Sequence, residues 1–373
     1  MLRGRRRSAA GALATLLSAG CVSFDFHGFA EGLGETIQAF LVATECDLER
    51  FVPSDFERVD AGLSTRQIET APFDRAVVSW NGRIPAGDEE LLELRALVGD
   101  DWTPWFAMVR VRGDGVSSVP APPDPSGRVV VDTLELFRPA RALQIRVTPA
   151  KAPAFTSIGV TTWTCGVAET RLAVSAAWPA KVLPVAERSQ QSERPEIAPR
   201  ICSPTAVAMA LEFLGKSVST AEIAKRVHDA ASDAYGNWTA NASVAGSLVG
   251  EAFVVHCSGF YPLQAEIAAG RPVVIRLVFG KGELEGAPIE ETEGHLVLVV
   301  GFTEWGDVVV NDPAAQPTTV RRTYSRGEFD NAWLRRGEGV AYVFRPSGSF
   351  FLPREEQVKV RELCRSASRS PTP

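Results

Sequence analysis

The residue types best suited to covalent chemistry are a cysteine at a predicted helix start and a histidine farther along the chain. Cys202 is followed by Ser203-Pro204, and proline favours the first turn of a helix. The positive end of a helix dipole lowers the pKa of a thiol there and favours the nucleophilic thiolate. Cys202 is therefore a candidate nucleophile. On position alone, a lone cysteine before a helix is more often a small buried residue.

A thiolate nucleophile needs a base or an ion-pair partner, which is normally histidine. The chain has four histidines. His295 follows Gly294 and opens an apolar run over 296–302, so it is expected at a strand edge with room beside it. The other three lie in less suitable contexts: His27 beside the N-terminal segment, His228 on the polar side of a predicted helix and His256 at the end of an apolar run.

A third residue could orient the imidazole of His295 through its other ring nitrogen. Asp312 stands in Asn311-Asp312-Pro313, directly after the next predicted strand. In a simple hairpin Asp312 would lie a few residues along from His295, so a bulge or a strong twist must close the gap. The order Cys, His, Asp predicts a catalytic triad, although each residue taken alone also has a structural explanation.

The other cysteines do not suggest a metal or a cofactor. The sequence has no Cys-x-x-Cys and no His-x-x-x-His pair, so we expect no metal site. It also has no Gly-rich Lys loop for a nucleotide, and no cofactor is expected. Cys46 and Cys165 flank a β-rich region and could pair in an exported protein, whereas Cys257 is expected to be a buried thiol.

The elements that would position the triad fall into two regions. Residues 35–175 contain many short β-rich runs between turn residues, which predicts an antiparallel β-sandwich. These runs cover 76–80, 91–96, 105–111, 129–136, 142–148 and 156–163.

From about residue 180 to 346, helices come first and strands follow, so the whole chain is expected to be α+β. Helices are predicted after Pro204, after the capping box that begins at Ser219, and over 243–252 and 263–269. Strands are predicted over 273–279, 296–302, 308–310 and 340–344. We expect the two domains to be separable near 170–185, and residues 347–373 to form a flexible polar tail.

The first 28 residues are typical of an export signal. A basic start is followed by an apolar stretch over 9–17 and by Ser18-Ala19-Gly20-Cys21. This ending is similar to a bacterial lipobox, in which the cysteine receives a lipid, except that Ser18 stands where leucine is preferred. The chain is thus expected outside the cytoplasm, in the cell envelope or the medium, either attached to a membrane through Cys21 or simply secreted.

Charge and composition narrow the class of partner. The formal net charge is −6 and the pI about 5.5, so no general basic surface indicates nucleic acid. Hydrophobic residues make up 45% and charged residues 23%, as in ordinary globular proteins. No apolar run reaches the 18–20 or so residues that a membrane-spanning helix needs.

The motifs around the three candidate residues resemble those of the C39-like peptidases, which are papain-fold cysteine peptidases. The resemblance extends from about 183 to 346 and is carried by Ile201-Cys202-Ser203-Pro204-Thr205, Gly294-His295-Leu296-Val297 and Val310-Asn311-Asp312-Pro313-Ala314. Upstream, Ser79-Trp80-Asn81 and Val131-Asp132-Thr133-Leu134 resemble the β-rich region that precedes this domain in exported bacterial members.

This resemblance implies that Cys202 is the nucleophile, His295 the general base and acid, and Asp312 the residue that orients it. It also implies a Gln upstream of the cysteine in the oxyanion hole. Gln190 and Gln191 are candidates, and Gln190 fits the usual Ser-Gln better. The implied substrate is a peptide or protein. The chain has Cys-Ser-Pro where transporter-linked members have Cys-Gly-Pro, and no transporter domain is recognised in it.

Two other functions remain open at this point. A catalytically silent papain-like module could bind peptide or cell-wall material without cleaving it. An acyltransferase of the transglutaminase type uses the same three residue types. The silent module would keep the fold but lose thiolate reactivity, and the acyltransferase would be separated from a hydrolase by its products with and without an added amine acceptor.

Overall fold

The computed structural model describes residues 47–349, except Asp114, Lys151 and residues 167–179. The predicted signal segment with Cys21 and His27, the thiol of Cys46 and most of the predicted tail lie outside the described residues. The proposed lipid attachment and the proposed pairing of Cys46 therefore stay predictions. The described thiols of Cys165 and Cys202 are free, and Cys257 is buried.

The first half of the described chain is an all-antiparallel sheet of eleven strands. The strands β1 to β11 are Leu48–Phe51, Phe56–Val59, Gly62–Thr65, Ile68–Gly82, Glu90–Val98, Asp101–Trp102, Phe106–Arg112, Gly115–Ser118, Gly127–Val130, Thr133–Thr148 and Phe155–Trp163. The path through the sheet runs β1-β11-β4-β10-β5-β7-β8, and the four remaining strands pair beside it. The predicted antiparallel β fold is confirmed, with the strands joined into one curled sheet.

Curvature comes from two long strands, β4 and β10. Strand β10 changes register against β4 between Glu135 and Ala140 and again before Ala142, and such bulges bend a strand. The predicted single strand over 129–136 is wrong, because Val131 adopts a positive φ of 61° and turns the chain. The run is instead the hairpin β9–β10, and the turn between its strands is Val131-Asp132.

The second half contains the helices. Among the described residues, α1 to α5 are Cys202–Phe213, Thr220–Val227, Trp238–Val249, Tyr261–Ala268 and Arg326–Asp330. Of the capping box predicted at Ser219, the N-cap bond is present: the Ser219 side chain accepts from the N–H of Glu222. The helix predicted over 243–252 begins earlier, at Trp238, and ends at Val249, where Gly250 has a φ of 136°.

Seven antiparallel strands form the second sheet. They are β12 to β18: Lys181–Val182, Gly250–His256, Val273–Phe279, Thr292–Phe302, Val308–Asn311, Arg321–Tyr324 and Val340–Pro346. The path runs β13-β18-β14-β15-β16-β17, with β12 paired to β15. The predicted α+β class is thus confirmed, although β13 lies partly where a helix was predicted, and β17 was not predicted at all.

Helix α1 packs into the core of this half. All nine of its residues from 203 to 211 are buried, so the helix is fixed against the sheet and α3 on most of its surface. Its two ends remain accessible: Cys202 is partly exposed at the start, and Glu212 and Phe213 are exposed or partly exposed at the end. The fold therefore holds one reactive side chain at the edge of a rigid, buried element.

Candidate active site

Cys202 is the first residue of α1, as the sequence predicts. Burial raises the pKa of its thiol, but a hydrogen bond and the positive charge of His295 lower it, as do the N–H groups of Leu296 and Ser203. The net pKa lies below the ordinary thiol value. The site thus favours a thiolate beside an imidazolium.

Of the two features that could close the gap between Asp312 and His295, a bulge is present in the hairpin β15–β16. Leu298 opposes Asn311 and Val299 opposes Val310, but Gly301, not Val300, opposes Val309. The extra residue brings Asp312 one position nearer to His295 along the ladder. The two side chains then lie on the same face of the sheet, because facing residues alternate along a strand.

His295 and Asp312 form a buried ion pair. Nε2 of His295 lies 2.7 Å from Oδ1 of Asp312, and the two residues are 4% and 1% exposed. Burial lowers the pKa of His295, but the Asp312 carboxylate and the neighbouring Cys202 outweigh it and raise this pKa to about 10. Burial raises the pKa of Asp312, and His295 more than reverses this. With Nε2 engaged by Asp312, Nδ1 is the ring nitrogen left for Cys202.

The Asp312 carboxylate has two further donors. The N–H of Ala314 donates to Oδ1 at 2.9 Å, and the hydroxyl of Tyr324 donates to Oδ2 at 2.8 Å. Tyr324 is the last residue of β17 and is 1% exposed. The residue types and their spacing assign no role to this tyrosine, because its distance from Asp312 depends on the packing of side chains across two strands.

Gln190 lies beside the Asp312 loop and is 5% exposed. It begins the short 3-10 helix Gln190–Ser192, and its N–H donates to the carbonyl of Pro313 at 2.9 Å. Its side-chain Oε1 is buried without a hydrogen-bond partner among the described residues. Gln191 is exposed, and its Nε2 reaches only the carbonyl of Ala314 at 3.5 Å. Of the two candidates, Gln190 is the one with a buried amide.

Ser189 fastens this segment to the same loop. Its hydroxyl donates to the carbonyl of Ala315 and accepts from the N–H of Gln191 at 3.1 Å. Two successive residues, Ser189 and Gln190, thus hold on to Pro313 and Ala315. Because both carbonyls lie within three residues after Asp312, the candidate oxyanion donor and the triad carboxylate are held by the same loop.

A second set of buried residues, around Tyr342, contacts the start of α1 at Ser203. Tyr342 of β18 is fully buried, and its hydroxyl lies 3.3 Å from Oγ of Ser203. The ring of Trp238 packs edge-on against Tyr342, with centroids 5.3 Å apart. Asp132, from the β9–β10 turn, accepts from the N–H of Thr239 at 2.8 Å. These contacts join the nucleophile helix, α3 and the first sheet.

Family comparisons identify both halves of the chain. Residues 182–340 match the model of a family described as the Peptidase C39 like family. This region belongs to the C39-like peptidases. Residues 59–169 match the model described as the Peptidase C39 N-terminal domain. The C39-like domain is therefore a hydrolase of the cysteine peptidase type, preceded by a β-rich region that accompanies such domains.

Two solved structures are similar to part of the chain. The peptidase domain of Streptococcus ComA, a bi-functional ABC transporter of a quorum-sensing pathway, is 16% identical; the match covers 45% of this chain and 98% of that one, with a TM-score of 0.29. Digestive procathepsin L 3 of the Tenebrio molitor larval midgut is 11% identical, with coverages of 48% and 72% and a TM-score of 0.31. Curated proteins give no match.

Within the described part of the C39-like domain and of the β-rich region, no helix is long and apolar enough to cross a membrane. The same residues contain no group of three or more His, Cys, Asp or Glu side chains that could hold a metal ion.

Proposed function

We propose that the chain is an exported cysteine peptidase that cleaves amide bonds through Cys202, His295 and Asp312. The observation that carries this proposal is the continuous contact from the thiol at the start of α1, through the imidazole, to a buried carboxylate 2.7 Å from Nε2. A structural cysteine needs no such partner, whereas a nucleophile needs a base that is itself oriented.

The proposed reaction has two halves. The Cys202 thiolate adds to the carbonyl carbon of the scissile amide, and the negative charge moves to the carbonyl oxygen. The N–H of Cys202 and the side-chain amide of Gln190 would donate to this oxyanion. The C–N bond then breaks, and the His295 imidazolium gives its proton to the leaving amine.

The second half releases the acyl group. Neutral His295 takes a proton from water, and the resulting hydroxide equivalent adds to the thioester carbonyl. The C–S bond breaks, the carboxylic acid product leaves, and the thiolate–imidazolium pair is restored. Asp312 keeps the imidazole aligned in both halves without accepting its proton.

The proposed place of action is outside the cytoplasm, on a peptide or protein substrate. The support for export is that residues 1–28 begin with basic residues and continue with an apolar stretch, as in a signal peptide. The lipobox-like residues before Cys21 support membrane attachment through a lipid on this cysteine. Mass spectrometry of the mature protein from a bacterial host tests this. A mature chain that begins with an acylated Cys21 supports anchoring, an unmodified new N-terminus near it supports secretion, and an uncleaved chain contradicts both.

Substrate profiling tests the proposed activity. The purified protein is incubated with a peptide library, and cleavage products are compared with those of Cys202→Ala. Cys165→Ala is a matched control, because this free thiol lies outside the site. We expect cleavage by the parent protein and the control but not by Cys202→Ala. Peptide binding without cleavage would indicate a silent module, and transfer to an added amine would indicate an acyltransferase.

A further inference from the structure

We infer that Tyr324 is a positioning residue of the proposed triad, and that it holds the Asp312 carboxylate in the orientation that His295 needs. This inference rests on the proposed function, because it concerns the same site. It adds a fourth side chain whose effect passes through Asp312 and never reaches the substrate directly.

The geometry gives Asp312 a donor on each of its two oxygens. Oδ1 accepts from Nε2 of His295 at 2.7 Å and from the N–H of Ala314 at 2.9 Å. Oδ2 accepts from the Tyr324 hydroxyl at 2.8 Å. A carboxylate fixed at one oxygen alone could rotate about its Cβ–Cγ bond. The hydroxyl on the second oxygen opposes that rotation, since hydrogen bonds weaken steeply when their angle departs from linearity.

The contact is not a by-product of strand pairing. In the ladder between β16 and β17, Tyr324 opposes Val308, and Asp312 lies four residues farther along the chain. Only a long side chain laid along the sheet can reach the carboxylate. The Tyr324 ring stacks on Phe329, with centroids 6.4 Å apart and an interplanar angle of 27°, which supports the ring in this direction.

The Tyr324 hydroxyl remains a donor at every working pH. Burial and the negative charge of Asp312 raise the pKa of Tyr324 far above its ordinary value, and nearby Arg322 only partly opposes them. Asp312, in turn, faces His295, Tyr324 and the N–H of Ala314. Removal of the hydroxyl would therefore leave a buried carboxylate with one oxygen lacking its donor, which is costly for a charged group.

Loss of the Tyr324 hydroxyl would affect Cys202 through Asp312 and His295. If Asp312 is less well held, the imidazolium is less well stabilised, and the thiolate then loses part of its ion-pair partner. Tyr324→Phe keeps the ring and its packing while removing the hydroxyl. We expect kcat to fall about tenfold to a hundredfold, the usual range for one hydrogen bond to a charged group, with little change in KM.

The deciding measurement does not need a substrate. The rate of iodoacetamide labelling of Cys202 is followed against pH by mass spectrometry of the peptide that contains it. For Tyr324→Phe we expect the midpoint to move upwards by roughly half a pH unit to one unit. Tyr261→Phe, at the start of α4, is the matched control and should keep the parent midpoint. A thermal melt accompanies both variants.

The outcomes separate this inference from the proposed function. If the midpoint of Tyr324→Phe equals that of the parent protein, Tyr324 does not position Asp312, even where Cys202→Ala abolishes cleavage. If the midpoint shifts but no peptide is cleaved, the positioning role stands and the proposed peptidase activity fails. A lower melting temperature with an unchanged midpoint would make Tyr324 a purely structural residue and overturn the inference.

Discussion

Cys202, which is partly exposed, and His295, which is buried, shift each other's pKa because each faces the charge of the other. The pKa of the thiol falls below its ordinary value, and that of the imidazole rises to about 10. A thiolate–imidazolium pair can therefore persist across neutral pH. Activity should fall on the acid side, as the thiolate takes up a proton, and on the alkaline side, as His295 loses its proton near pH 10.

His295→Ala should raise the pKa of the Cys202 thiol and so make it less reactive at neutral pH. Without the imidazolium, burial is the dominant influence on the thiol, and its pKa should rise above the ordinary value of about 8.5. Iodoacetamide labelling of the Cys202 peptide against pH measures this shift. His256→Ala is the control, since that imidazole is engaged by Asp47 and Trp163. Superimposable curves for His295→Ala and the parent protein would show that the two side chains are not coupled.

Gln190→Ala should lower kcat by about 10²–10³ with little change in KM, because an oxyanion donor acts chiefly in the transition state. Gln191→Ala is the natural control, since this neighbouring side chain is exposed and should be nearly silent. Steady-state kinetics on the best peptide from profiling decides between them. The opposite pattern would transfer the role to Gln191, and two silent variants would remove both from the oxyanion hole.

At this scale the sequence predicts residues whose chemistry is visible in their type and order. Cys202, His295 and Asp312 were found that way, and the structure brings them together, while their catalytic roles stay a proposal. Tyr324 and Ser189 were assigned no role, because their contacts with the Asp312 loop depend on how far side chains extend between segments distant in sequence. No hydrophobic period or residue spacing in the sequence indicates such long-range side-chain contacts.

The first turn of helix α3 donates hydrogen bonds to the carboxylate of Asp132, which lies in the β9–β10 turn of the first sheet. Asp132 accepts from the N–H groups of Trp238 and Thr239, so it satisfies donors that the first turn of a helix leaves free. Asp132 is 2% exposed, and burial raises its pKa from 3.8 to about 7. The folded chain thus binds this proton more tightly than the unfolded chain. Its contribution to stability therefore falls as pH rises from about 4 to about 7.

Asp132→Asn should flatten this pH dependence. Asparagine can accept the same hydrogen bonds at a helix start but carries no ionisable proton. We expect the melting temperature of the parent protein to decline more steeply between about pH 4 and about pH 7 than that of the variant. Asp132→Ala is the contrasting variant and should cost about 1–3 kcal/mol, because it leaves buried N–H groups unpaired. Parallel melting curves for parent and Asp132→Asn would contradict the ionisation of Asp132 in this range.

Elements with a clear hydrophobic pattern and turn residues at their ends were predicted well, and elements defined by tertiary contacts were not. Strand β14 at Val273–Phe279 matches the prediction residue for residue. The hairpin turn at Val131 was missed, because a β-branched residue rarely adopts a positive φ. Strand β13 was partly assigned to a helix, since its apolar run has no alternation that distinguishes the two.

The two sheets meet at β13, an edge strand of the C39-like sheet. Its outward backbone groups are paired with side chains of the β-rich region instead of another strand. The N–H and C=O of Ala252 bond the Asn81 amide at 2.8 and 3.2 Å. Those of Val254 bond Ser79 and Thr161 at 2.9 and 2.7 Å. The β-rich region thus covers an edge that would otherwise be open to another chain.

The sequence does not predict that the β-rich region covers β13, although it contains the residues that form the contact. Ser79-Trp80-Asn81 and Thr161 alternate polar and apolar residues in ordinary strands, and only the packing shows that the polar ones are buried against Ala252 and Val254. Gly246 makes room for the contact, since a Cβ there would overlap Oδ1 of Asn81. The separability predicted near 170–185 is untested, and these contacts favour the opposite outcome.

A chain shortened to begin at Val182 should therefore associate or become insoluble. It would lack the β-rich region and expose β13, with the outward N–H and C=O groups of Ala252 and Val254 free to pair with another copy. Size-exclusion chromatography with light scattering compares it with a chain that begins at Asp47. Val254→Pro in the shortened chain removes one outward donor and should reduce the association, because proline blocks edge pairing. A shortened chain that is monomeric and folded would show that the edge needs no cover and that the domains are separable.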